Sequence, residues 1–267
     1  MVSRVLLAAA VVAGSLIVPL VATTPAAAED LVPVVTGVPN VIGVAVDSDG
    51  DIFTSTNTGV VSVYPAASGT IFGTTVTQGT LTTLATLGNV AGLAFDAAGN
   101  LYMSDYNNGT VSVLSSAGGS IFGQTVAADT VTTLQSGLNQ PAGLAFDSTG
   151  DLFIDSESGM SVLPASSGTL FNTPVTTDVL TGLTGASGSA PSTSQFLTFD
   201  DAGNLYMTDH NAGTVTVLPQ ASGTVFGQTV TADTYQTLVT GLDSPQGLAF
   251  DAAGDLFIAT DDNVSVL

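Results

Sequence analysis

The sequence predicts an all-β chain folded as a β-propeller of five four-stranded blades closed by the N-terminal strand. Three observations carry that reading. The stretch at residues 92–114, GLAFDAAGNLYMSDYNNGTVSVL, returns in altered form along the chain, so that aligned aspartates fall at Asp47, Asp96, Asp147, Asp200 and Asp251. Their spacings of 49, 51, 53 and 51 residues give a period near fifty, which belongs to propellers and solenoids. Within a period the apolar residues alternate with period two in four short runs, and no stretch beyond the N-terminal leader carries a capped helical pattern. The two ends also complement each other. The last repeat stops at Leu267 after its third strand, while residues 31–36, LVPVVT, stand where a fourth strand stands in the other repeats. Adding that strand to the last blade would remove the free edges of an open array. A truncated ring of six or more blades is the alternative.

The second repeat shows the elements in order, with strands expected at 92–96, 100–104, 110–114 and 130–135. Between the first two the chain reverses through FDAAGN. An Asp opening a type I turn accepts hydrogen bonds from the backbone just ahead of it, and a Gly three residues on supplies a positive φ. That chemistry assigns the five aligned aspartates, with Gly50, Gly99, Gly150, Gly203 and Gly254, to scaffold. Asp51, Asp151 and Asp255 belong to the same turns, and Asp129, Asp178 and Asp233 introduce fourth strands. The segments SGTIFGTTV, GGSIFGQTV, SGTLFNTPV and SGTVFGQTV place Phe72, Phe122, Phe171 and Phe226 in turns, where they are expected to pack locally between outer strands. Stacking against carbohydrate is their other possible use.

Residues 1–28 read as a secretory signal peptide: Arg4, an apolar run over 5–22, then Ala26, Ala27 and Ala28. An uncleaved anchor is the alternative, but Gly14, Ser15, Pro19 and the alanine-rich end favour cleavage. The expected mature product is therefore a secreted, extracellular single domain, residues 29–267. Removing the leader takes away Arg4, the one Lys or Arg of the sequence, and moves the net charge from −21 to −22. Such a surface repels phosphate backbones and anionic lipid, which excludes nucleic acid and membrane as partners. An extracellular cation, a glycan or a basic protein is electrostatically acceptable, and the chain is read as a monomer. No cysteine is present, so no disulfide framework is possible.

The phrases GLAFDAAGNLYMSD, GLAFDSTGDLF and GLAFDAAGDLFIA resemble NHL-repeat propellers and, more loosely, the gluconolactonase-like group. The resemblance implies a propeller over residues 31–267, although five blades depart from the usual six. NHL domains that bind RNA use basic surfaces, which this chain lacks. Peptide-amidating lyases of this architecture use several histidines, whereas His210 stands alone here. The gluconolactonase-like enzymes use a Glu, Asn and Asp metal set, and the mature chain offers only Glu29 and Glu157 as glutamates. The run Asp47-Ser48-Asp49-Gly50-Asp51 is similar to a calcium loop, but Thr58 stands where that loop needs Glu, so it reads as a turn.

With strands in this order, the tips joining second to third strands share one rim with the connections from fourth strand to next first strand. Asp105, Asp155, Glu157, Asp209, Asp243, Asp261 and Asp262 fall there. One tip position reads Asn57, Tyr106, Glu157, His210 and Asp261 across the five repeats. Loops on a rigid scaffold are the usual home of binding residues. These residues, with Asn107, Asn211 and Asp262, form the expected ligand-binding set of a non-enzymatic binding module. Asp105, Glu157, Asp209 and Asp261 are the candidate ligands should Ca²⁺ bind. The alternative is a metal-assisted hydrolase or lyase, which requires Glu157, Asp209, His210 and Asn211 to converge. The long connection at 183–195, LTGASGSAPSTSQ, is expected on the same rim as a solvated insertion or a lid.

Overall fold

The computed structural model describes residues 35–191, 194–261 and 263–267, and every described element is a strand. Blade 1 comprises Val41–Val46, Ile52–Thr56, Val60–Tyr64 and Thr82–Thr86, and blade 2 Val90–Phe95, Leu101–Asp105, Thr110–Leu114 and Val131–Ser136. Blade 3 comprises Leu144–Phe146, Leu152–Ile154, Ser161–Leu163 and Thr181–Gly182, and blade 4 Ser194–Phe199, Leu205–Asp209, Thr214–Leu218 and Gln236–Val239. Blade 5 shows Leu248–Phe250, Leu256–Ala259 and Val264–Val266. Neighbouring strands run antiparallel, as hairpin-linked strands must. The first strands of all five blades line one central cavity of about 530 Å³, so the blades form a five-membered ring.

The aspartate turns form as their chemistry requires. Asp96 Oδ1 accepts from the backbone N–H of Ala98 and Asn100, both at 2.9 Å, and Gly99 N–H donates to Asp96 O at 3.1 Å. The same pattern recurs at Asp47, Asp147, Asp200 and Asp251. In blades 2 and 4 the second oxygen is used as well. Tyr102 OH donates to Asp96 Oδ2 at 3.0 Å and Tyr206 OH to Asp200 Oδ2 at 2.8 Å.

Each repeat from 1 to 4 contains more than the four expected strands. The SGTIF-type segments fold into separate two-stranded hairpins: Gly69–Ile71 with Thr74–Val76, Gly119–Ile121 with Gln124–Val126, Gly168–Leu170 with Thr173–Val175, and Gly223–Val225 with Gln228–Val230. Three-residue strands around a two-residue turn give too short an alternation to stand out in the sequence. The phenylalanines sit in those turns with left-handed backbone, at φ of 44° or 45°. A bulky residue there is strained, and ring packing offsets the strain.

That packing repeats at four blade interfaces. Phe72 lies edge-on to Phe53, which lies edge-on to Phe95 of blade 2, with centroids 6.2 and 4.9 Å apart. Phe122, Tyr102 and Phe146 form the next trio, Phe171, Phe153 and Phe199 the third, and Phe226, Tyr206 and Phe250 the fourth. Each trio joins a hairpin and a second strand of one blade to the first strand of the next, inside that interface's apolar cluster. Toward blade 1 the pattern lapses, because Val46 stands where the other blades carry Phe.

Val264 and Val266 of blade 5 are 60 % and 59 % exposed, while their counterparts Val111, Val113, Val215 and Val217 are fully buried. The closing strand expected at 31–36 lies, over 31–34, outside the described residues, and Val35 and Thr36 belong to no described strand. What is described matches the other blade entries. Gly37, Gly137 and Gly241 are all left-handed, and so, three residues on, are Asn40, Gln140 and Ser244. The chain thus enters blade 1 through the same bend that leads from the fourth strands of blades 2 and 4 into their neighbours.

Phe153 is fully buried at the centre of its trio, so Phe153→Ala is expected to lower the unfolding free energy by about 3–5 kcal/mol in denaturant titration. Burial raises the pKa of Tyr102, Tyr206 and Tyr235, with the carboxylates of Asp96 and Asp200 adding to the effect for the first two; Tyr235 is pushed up to about 12. Unfolded tyrosine ionises near pH 10, so this stabilisation is fully present below about pH 10 and is lost as pH rises through the folded values. Melting temperature should be level from about pH 7 to 9.5 and fall above about pH 10. Tyr102→Phe should make that alkaline decline shallower.

Candidate ligand-binding rim

Backbone hydrogen bonds bring the two loop sets to one rim, as expected. The N–H of the tip residue donates to the preceding connection: Asn57 to Asn40 O at 3.3 Å, Tyr106 to Asn89 O at 2.8 Å, Glu157 to Asn139 O at 2.9 Å and Asp261 to Asp243 O at 3.2 Å. The following connection closes the other side, with Leu87, Leu138 and Leu242 N–H donating to Gly59, Gly109 and Gly213 O. Approach is so close that a Cβ on Gly109 would lie 2.4 Å from Leu138 O. Only glycine fits there.

The residue before each tip caps its own loop. Asp105 is buried, and its carboxylate accepts from Gly88 N–H at 2.6 Å, Asn89 N–H at 3.0 Å, Asn108 N–H at 3.2 Å and Asn108 Nδ2 at 2.8 Å. Burial works against its charge, but the backbone donors of Asn89 and Gly88, with Asn108, outweigh it and hold the carboxyl below the ordinary value. Asp209 is buried too and accepts from Ala212 N–H at 2.9 Å. Thr56, Ser156 and Thr260 take backbone hydrogen bonds at the same place in blades 1, 3 and 5. Asp105 and Asp209 are thus loop caps. One position earlier, buried Ser104 accepts from Gly92 N–H at 2.8 Å and donates to Ala142 O of blade 3 at 2.6 Å, and Thr208 donates to Gln246 O of blade 5 at 3.0 Å. Asp155 occupies this position in blade 3 and is buried as well.

Asn57, Glu157 and Asp261 are exposed at the tips while Tyr106 and His210 are half-buried, and two of the tips meet. Tyr106 OH donates to Glu157 Oε1 at 3.3 Å, across from blade 2 to blade 3. Gln140, from the connection between these blades, lies against both side chains, and we assign its amide nitrogen to the carboxylate side, where it donates to both oxygens of Glu157, to Oε2 at 2.7 Å, and to Tyr106 OH at 2.9 Å. The opposite orientation would set an amide oxygen against a carboxylate. Burial and then the Glu157 charge raise the Tyr106 pKa. In blade 5, Gln246 Nε2 donates to Asp261 Oδ1 at 3.2 Å. His210 is half-buried and its Nδ1 has no partner among the described residues, while Asn57, Asn107 and Asn211 are exposed. Asp262 lies outside the described residues.

Sequence reasoning missed Gln140 and Gln246. The available signal was a Gln in the connections ahead of GLAF in blades 3 and 5, NQPAGLAF and SPQGLAF. Over residues 183–188 the long connection is no lid: it keeps the exposed surface of an insertion, with Thr184, Ser187 and Gly188 exposed, but its backbone is docked. Gly185 N–H donates to Thr173 Oγ1 at 2.8 Å, Ser187 N–H to Asp233 O at 2.8 Å, and Tyr235 N–H to Ser187 O at 2.9 Å. The segment adds a parallel bridge, Ser187 to Thr234, at the outer part of blade 4. Its backbone finds partners there that a lid over the opening would lack.

Among the described residues no group of three or more His, Asp or Glu is placed to hold a metal ion. The four carboxylates named as calcium candidates belong to four different blades, and two of them are the loop caps. No protein-family model matches the chain, and no curated protein matches it. Solved structures do. A gluconolactonase from Xanthomonas campestris aligns with TM-score 0.57 at 15 % identity, covering 85 % of this chain and 71 % of its own. A streptogramin B lyase aligns with TM-score 0.53 at 14 % identity, covering 85 % and 68 %. Virginiamycin B lyase from Staphylococcus aureus with quinupristin aligns with TM-score 0.53 at 12 % identity, covering 85 % and 69 %. The likeness is one of fold. It agrees with the resemblance to gluconolactonase-like propellers read from the repeats.

Glu157→Gln removes the charge that faces Tyr106, so the phenol should ionise at lower pH than in the parent protein. Ultraviolet difference titration of the two proteins checks this, and unchanged titration would mean that the pair does not form in solution.

Proposed function

We propose that the protein is secreted and works as a non-enzymatic extracellular binding module whose ligand docks on the tip rim. The observation that carries this reading is the chain Gln140, Tyr106 and Glu157, which fixes a carboxylate between two blade tips on an exposed surface. A carboxylate already oriented by two neutral donors is pre-set for a cationic group, because binding need not order it first. The five tip positions carry five different side chains on loops of one backbone design, the pattern of a surface tuned for contact. With 22 acidic side chains against one basic one, long-range attraction favours a basic partner. We therefore read the ligand as a lysine- or arginine-bearing segment of an extracellular protein.

The metal-assisted hydrolase or lyase alternative is not favoured by the geometry, since its carboxylates do not converge. The test is calorimetric titration of residues 29–267 with a peptide rich in Lys and Arg, at low and moderate salt. Saturable binding that weakens with salt is expected, and the Tyr106→Phe/Glu157→Gln double variant should bind about threefold to fivefold more weakly, as for an exposed ion pair. No saturable heat, or equal affinity in the double variant, would sink the proposal. Saturable Ca²⁺ binding with a raised melting temperature would instead revive the enzyme reading.

A further inference from the structure

On the opposite rim, between blades 3 and 4, two departures from the repeat fall together. Asn172 stands at the hairpin tip where the other hairpins have Gly73, Gly123 and Gly227, all left-handed as Asn172 is. Gln220 stands where Ala66, Ser116 and Ala165 stand; the shared place is shown by the backbone N–H of each, which donates to the side-chain oxygen of Asp51, Asn100, Asp151 or, for Gln220, Asn204. At the first two interfaces the tip glycine leaves no space. A Cβ on Gly73 would lie 3.0 Å from Asp129, and one on Gly123 would lie 3.1 Å from Asp178. At the third interface the side chain of Asn172 occupies that place, and a cavity of about 230 Å³ is lined by Asn172, Gln220 and Asp233.

The cavity has a mixed lining. Phe171 and Phe199, two members of the aromatic trio, contribute apolar wall, and Thr169 adds a hydroxyl. The Asn172 amide is anchored by donation from Nδ2 to Gly185 O at 3.3 Å, which ties the wall to the docked connection. The Asp233 carboxylate, the Gln220 amide and the Thr169 hydroxyl make no side-chain hydrogen bond among the described residues. The pocket therefore offers unspent donors and acceptors beside a small apolar wall. It is smaller than the roughly 300–1,000 Å³ of drug-sized ligand pockets, a size for one ring.

We infer that this cavity binds one ring of a neutral sugar, with its hydroxyls on Asp233, Gln220 and Asn172 and a C–H edge against the partly exposed Phe199, since Phe171 is buried. A hydroxyl both donates and accepts, so it can satisfy a carboxylate and an amide together. An anionic sugar is disfavoured, because no Lys or Arg lies among residues 35–267 to neutralise it beside Asp233. This site is separate from the tip rim, and its success or failure leaves the rim reading untouched.

Saturation-transfer NMR on residues 29–267 tests the inference with methyl α-glucopyranoside, methyl β-galactopyranoside and methyl α-mannopyranoside as probes and glucuronate as the charged control. Saturable transfer to ring C–H protons of at least one neutral glycoside is expected, with little to glucuronate. Asp233→Asn and Gln220→Ala, at positions that carry no side-chain hydrogen bond among the described residues, should each weaken it by about threefold to tenfold, while Glu157→Gln should not change it. Absence of transfer to all three glycosides, or transfer undiminished in both variants, would overturn the assignment.

Discussion

The edge-to-face aromatic trio is the interaction on which the rest of this structure depends. Blades of a propeller share no backbone hydrogen bonds between their sheets, so side-chain packing must set the angle between neighbours. Here a ring from the second strand of one blade is held between a ring from its own hairpin and a ring from the next blade's first strand. Such pairs contribute about 0.5–1.5 kcal/mol each beyond the area they bury. Four interfaces repeat the arrangement with centroid distances that agree within a few tenths of an ångström, which fixes the ring and, through the first strands, the width of the central cavity.

The rim inherits its precision from that frame. Loop backbones are fastened on both sides by main-chain hydrogen bonds, and the residue before each tip is spent on capping. With the loop so held, the tip side chain has no structural task and is free to differ from blade to blade. The meeting of Tyr106, Gln140 and Glu157 arises where adjacent blades present a phenol and a carboxylate within reach of one glutamine.

A chain with almost no cations must satisfy its carboxylates by other means. Turn and cap aspartates use backbone N–H groups, and some others, Asp261 and Glu157 among them, use amides and hydroxyls, so charge is stabilised without ion pairs. Asp233, like its counterparts Asp129 and Asp178, makes no side-chain hydrogen bond among the described residues, and it lines the cavity at the interface where the repeat is broken.

Much of the fold was legible in the sequence because it is written in local chemistry. An Asp followed three residues later by Gly makes a turn wherever it occurs, and alternation over five residues makes a strand, so period, blade number and strand order could be read directly. The third strand of blade 2 matches its expected bounds, and the other three differ by one or two residues. The short hairpins were hidden because three-residue strands carry almost no pattern. In the site, the sequence by itself determined the set of tip residues and their common rim, since loop order follows from strand order. Only the tertiary structure decided which carboxylates are occupied, placing Asp105 and Asp209 inside their loops and Glu157 outside. It alone paired Gln140 with Glu157, docked residues 183–188 on blade 4 and opened the cavity beside Asn172. Those outcomes depend on distances between residues far apart in the chain, which the packing of neighbouring blades sets and no local pattern encodes.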